Sequence, residues 1–123
     1  MKDYKILFET INKWLEKVMK DMEMPLSGEP ETLIRQMTTI EAYSATLTYY
    51  LEEVNQVVAE ARDETYPAKE PGVTSRQREL KAGAVMAPLE KVQGLLEGLK
   101  NDLKQKLIVA EAILGYRKVE RKG

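Results

Sequence analysis

Apolar residues recur along most of this chain in alternating steps of three and four, the spacing that puts them on one face of an α-helix. Tyr4, Leu7, Ile11, Trp14, Val18 and Met22 form the first such stripe, widened by Ile6, Leu15 and Met19. They predict a helix over 3–22. Lysines and acids fill the other face, with Glu9–Lys13 and Glu16–Lys20 at the favourable i,i+4 spacing. The run Met24-Pro25-Leu26-Ser27-Gly28-Glu29-Pro30 ends that helix, because Pro and Gly this dense mark a turn. Pro30 suits the first position of the next helix, where its missing N–H costs nothing, and Glu29 and Glu31 favour the positive helix end.

A second helix is predicted over 31–63. Leu33, Met37, Ile40, Leu47, Leu51, Val54, Val58 and Ala61 form a heptad seam, interrupted by the polar Ser44. Its threonines are mediocre helix formers, but the apolar period is 3.5 and not the 2 of a strand. Tyr43, Tyr49 and Tyr50 fall on the flanks of the seam, where partial burial is expected. Residues 64–74 read as a loop, since Tyr66-Pro67 and Glu70-Pro71-Gly72 are incompatible with a helix interior. Thr74 and Gln77 have the spacing of a capping box for a third helix over 75–117. The stripe of that helix is Val85, Leu89, Val92, Leu96, Leu99, Leu103, Leu107, Ala110 and Leu114, and it drifts between Leu96 and Leu107. Pro88 within it predicts a kink or a boundary between two shorter helices. Gly83, Gly94, Gly98 and Gly115 are costly helix residues, and the i,i+4 pair Gly94 and Gly98 reads as a site of close helix packing within the fold.

These elements imply one all-α domain over 1–123: a long antiparallel, coiled-coil-like hairpin plus a shorter N-terminal helix. The hairpin is about 50 Å long at 1.5 Å rise per residue, and the first helix covers less than half of it. Uncovered apolar seam of that extent predicts a homo-oligomer.

Composition narrows the chemistry. The chain has 123 residues, no histidine and no cysteine. Zinc sites, thiol chemistry and catalytic triads are therefore excluded. No catalytic residue, metal, cofactor or small-molecule substrate is expected. No apolar run is long enough for a bilayer, and the N-terminus lacks a signal-peptide pattern, so no membrane contact and a cytoplasmic location are expected. Net charge is −1, unevenly spread. Residues 31–63 are acidic on balance and residues 64–123 basic, which predicts pairing of opposite charges along the seam between helices two and three. The alternative is a basic surface offered to a polyanion. Arg76, Arg78 and Lys81 at the start of the third helix, Lys100, Lys104 and Lys106 along it, and Arg117 and Lys118 near its end are the candidate contacts. A third reading is enzymatic. Glu60-Ala61-Arg62-Asp63 matches the second, E-x-x-D motif of all-α nucleotide pyrophosphohydrolases, with Glu52 and Glu53 two turns earlier, but their E-x-x-E motif occurs nowhere in the chain.

From Ile40 onward the chain resembles the small helical recombination mediators of bacteriophages. Ile40-Glu41-Ala42 opens a long helical stretch, Tyr49-Tyr50 follows, then a charged, Gly-containing loop and a second long helix ending in a basic segment. The resemblance implies a ring-like oligomer that contacts single-stranded DNA and a recombination protein. Where such mediators carry a basic segment, this chain has Ala45-Thr46-Leu47, so DNA contact would fall to the third helix. The alternative is a structural or adaptor coiled-coil protein that touches no nucleic acid.

Overall fold

A computed structural model describes residues 4–65 and 75–122 and places them in three helices: α1 (Lys5–Met22), α2 (Pro30–Thr65) and α3 (Ser75–Lys122). The fold is all-α, with α2 and α3 packed along each other as a hairpin. Arg62 meets Glu90 and Asn55 meets Gln93, so position on α3 rises as position on α2 falls and the two run antiparallel. Met22 and Met24 at the end of α1 meet Lys106, while Asn12, a few turns earlier, shares a groove with Gly94. Helix α1 is therefore parallel to α3 and antiparallel to α2.

Gln36 bonds twice across the turn between α1 and α2. The Gln36 amide accepts from the Ser27 N–H at 2.8 Å and donates to the Pro25 carbonyl at 3.1 Å. Glu29 then starts α2, its carbonyl accepting from the Leu33 N–H at 2.8 Å, and Pro30 stands at the first helical position. The threonines of α2 are accommodated by local bonding. Thr38, Thr39 and Thr48 donate their hydroxyls to the carbonyls of Ile34, Arg35 and Ser44 at 2.9–3.1 Å.

One core joins the three helices. It takes Ile11, Leu15 and Val18 from α1; Ile40, Leu47, Val54, Val57, Val58 and Ala61 from α2; and Met86, Leu89, Val92, Leu96, Leu99 and Leu103 from α3. Leu33 and Ala110 are buried at the end of the hairpin beyond α1. Met37, Leu51 and Leu107 are half-buried. Trp14 is half-buried between helices, its ring edge-on to Tyr43 and Tyr50 at centroid distances of 6.2 and 5.2 Å.

Several details differ from the sequence reading. Helix α1 begins at Lys5, and residue 3, the expected start, lies outside the described residues. Helix α2 runs two residues past 63, so Glu64 and Thr65 are helical, and the rest of the expected loop, with Thr74, lies outside the described residues. Helix α3 continues to Lys122 and passes Pro88 without a boundary. Pro88 is exposed. Its ring and the carbonyl of Ala84, which it deprives of a donor, therefore lie on the solvent side of the helix. Ile6 and Met19 do not widen the stripe of α1; they are 72% and 56% exposed. Tyr49 is also exposed rather than partly buried. Val85 is 39% exposed and Met86, one residue on, is buried in its place. Leu89, Val92 and Leu96 set the phase of the helix, and a step of three back from Leu89 reaches the core where a step of four does not.

The seam drift has a specific content. Strict alternation from Leu99 and Leu103 calls for an apolar residue at 106 and not at 107. Lys106 stands there instead, half-buried, and its ammonium donates to the carbonyls of Met22 and Met24, each at 2.7 Å. A cation thus satisfies the unpaired carbonyls and the negative end of α1.

The expected pairing of acidic α2 with basic α3 is not found among the described residues. The ion pair that crosses the hairpin is Arg62 with Glu90, at 3.5 Å, in the opposite sense. Both side chains are more than half exposed, so the pair contributes less than about 1 kcal/mol. Apolar contact holds the hairpin together.

Candidate functional site

Among the described residues, the polar side chains singled out in the sequence do not converge. Arg76, Arg78 and Lys81 fall in the first two turns of α3 and Arg117 and Lys118 near its end; their side chains lie outside the described residues. Lys100 and Lys104 are exposed, one turn apart on α3. Glu97 and Glu111 continue the same face on either side, so these two lysines do not belong to an unbroken basic strip. Lys106 faces inward and is committed to the end of α1, so it leaves the strip altogether.

The carboxylates are equally dispersed. Glu52, Glu60 and Asp63 are exposed and Glu53 is half-buried, all on α2. Glu60 accepts from the Gln56 amide at 3.2 Å, its neighbour one turn back. Among the described residues no three carboxylates stand close enough to hold a metal ion together. Glu90, the acid of α3 that reaches the E-x-x-D motif, pairs with its Arg62.

Electrostatics are distinctive at one point, where α1 meets α2. The Tyr43 hydroxyl donates to the Asp21 carboxylate. That bond, then burial, then the nearby negative charge push the Tyr43 pKa up from 10.0 to about 12. The folded state therefore holds this proton more tightly than the unfolded chain does. The contribution is fully present below pH 10 and fades as the pH rises from 10 through about 12. Urea midpoints of the protein and of Tyr43→Phe should accordingly converge across that window. A constant difference between the two would show that the hydroxyl does not carry this linkage.

What the surface offers instead is apolar material on helix faces. Ile34 is 49% exposed, Ile108 49%, Val109 51% and Tyr116 64%, all on the part of the hairpin beyond α1. Leu95 and Met19, 46% and 56% exposed, lie along an open groove between α3 and α1. That groove has a volume of about 470 Å³ and is lined by Asn12, Leu15, Glu16 and Met19 on one side and Gly94, Leu95, Gly98, Leu99 and Asp102 on the other. The two glycines therefore do not mediate close packing inside the chain, contrary to the reading of the sequence. A Cβ added at either would meet nothing within 4 Å.

This groove was not legible in the sequence. The Gly94–Gly98 spacing was the available signal, but its meaning depends on where α1 stops short of α3. Among the described residues no helix is long and apolar enough to cross a membrane. Comparison of the chain with protein-family models, with curated proteins and with solved structures finds no match.

Proposed function

We propose that this protein is a non-catalytic helical assembly protein that acts by packing its helix faces against protein partners, beginning with further copies of itself. One observation carries this reading. Large apolar side chains remain outside on faces that α1 leaves uncovered. Helix α1 has 18 residues against 36 in α2 and 48 in α3, about 27 Å against 54 and 72 Å. A short helix cannot roof a hairpin of that length, and exposed patches of this kind mark interaction surfaces.

The finer form of the proposal follows the resemblance to recombination mediators. It adds single-stranded DNA as a second ligand, held through α3, and a recombination protein as a further partner. Exposed Lys100 and Lys104 support this form, because among the described residues neither has an ion-pair partner to give up.

Sedimentation velocity over a range of protein concentrations tests the assembly reading, with an oligomer as the expected result. A monomer throughout would overturn it. Fluorescence anisotropy of a labelled single-stranded oligonucleotide tests the finer form. Binding should weaken steeply with salt, because each neutralised phosphate releases counterions, and should drop in a Lys100→Glu/Lys104→Glu variant. An oligomer that ignores the oligonucleotide at low salt would leave a protein scaffold and remove DNA from the account.

A further inference from the structure

We propose that the α1–α3 groove receives α3 of a second copy of this chain, in an antiparallel, two-fold symmetric pairing centred on Leu95 and Gly98. The proposal rests on the assembly reading above and assigns its first interface. It starts from the two glycines. Glycine weakens a helix interior relative to alanine, and nothing among the described residues occupies the space a Cβ would fill at Gly94 or Gly98. The fold of one copy therefore gains nothing from them. Glycine at a helix surface does allow another helix to approach closely, because interaxial distance is set by the side chains at the contact.

The surrounding face has the composition of an interface. At 100° per residue, Ala84, Lys91, Gly94, Leu95, Gly98, Asp102 and Val109 share one stripe of α3, about 37 Å long, and every one of them is exposed. Glu97, Lys100, Lys104 and Glu111 lie on a separate, charged face. The stripe carries two charges of opposite sign, and their placement selects the partner. In an isologous contact, residue i meets j′ and j meets i′. An axis crossing α3 midway between residues 96 and 97 sets Lys91 against Asp102 of the second copy and Asp102 against its Lys91. The same axis sets Leu95 on Gly98, a large side chain over an absent one, and Ala84 on Val109. A single register thus satisfies charge, size and apolar contact together, and satisfies each twice. The exposed Met19 on the α1 wall borders the groove that the incoming helix fills.

Sedimentation equilibrium on charge-reversed variants tests this pairing. Lys91→Asp and Asp102→Lys should each raise the dimer dissociation constant at least about ten-fold, because each places like charges against one another at two symmetric points. The Lys91→Asp/Asp102→Lys double variant should restore association. Gly98→Leu should abolish dimerisation while its helical circular dichroism, and its Tm at dilutions where the wild type is also dissociated, stay equal to wild type or rise, since the added side chain enters open space in the single copy. Single variants that weaken association without rescue in the double variant would overturn the register. An oligomer indifferent to all four variants would overturn this interface and leave assembly through another face. A wild-type protein that is monomeric at every concentration would overturn both this pairing and the assembly reading.

Discussion

Leu47→Ala is expected to lower the stability of the protein by about 2–5 kcal/mol. Leu47 is 1% exposed and lies mid-way along α2, in the stretch where α1 also covers the hairpin. It belongs to the same apolar cluster as Leu15 of α1 and Leu99 and Leu103 of α3. Its removal opens a cavity bounded by three helices that cannot all close on it at once, so both the transfer term and the cavity term apply. Domains of this kind are stable by only about 5–15 kcal/mol, and the loss is a large share of that. Chemical denaturation followed by circular dichroism measures it. A loss under about 1 kcal/mol would mean that the centre of the bundle can repack around the missing side chain. Ile34→Ala provides the contrast, because Ile34 is 49% exposed and should cost little within a single copy.

Lys106→Met should have the second largest effect, about 2–3 kcal/mol, and a local one. Methionine keeps the length and apolar stem of lysine but removes the charge. The carbonyls of Met22 and Met24 then lose a donor at 2.7 Å each, and the negative end of α1 loses its cation. The consequence should concentrate in α1. Backbone hydrogen exchange across Lys5–Met22 should quicken while exchange in the middle of α2 and α3 stays slow. Lys106→Arg, which retains the charge, should retain part of the protection. Uniform acceleration across all three helices would show instead that α1 does not detach separately from the hairpin.

Lys106 also illustrates where sequence reasoning failed. A lysine among Lys100 and Lys104 on a helix with a basic balance reads as one more member of a solvated strip. Its role rests on a geometric fact, that the last turn of α1 ends beside it, and neither segment carries a local sign of the other. Val85 and Met86 present the same problem on a smaller scale. Both are apolar and both lie within reach of the stripe. Which one turns inward depends on the phase set by neighbouring packing. Pro88 misled in another way. A proline inside a helical pattern signals a break, but here it falls on the exposed face, and α3 continues through it.

The candidate site was legible only in part. Unequal helix lengths, which the positions of Pro25, Pro30, Pro67 and Pro71 already announce, predict an uncovered stretch of seam, but Leu33 and Ala110 beyond α1 are buried and the apolar residues left outside are Ile34, Ile108 and Val109, off the seam. Which residues line the open groove did not follow, because a groove is a property of two helices and the distance between them. The glycine pair was visible throughout and its function was misassigned, since spacing alone does not say whether a neighbouring helix fills the space above it.

By itself the sequence determined that the chain is helical, where its first turn falls, and which residues form most of the buried face. Those are consequences of backbone-level rules: apolar period, proline and glycine punctuation, and the preference of Leu, Ile and Val for burial. Only the tertiary structure decided that α1 lies parallel to α3, that Lys106 closes its end, that opposite charges do not zip the hairpin among the described residues, and that Gly94 and Gly98 face open space. Each of these depends on the separation and rotation of whole helices, set by the summed packing of many side chains, and no short stretch of sequence encodes such a sum.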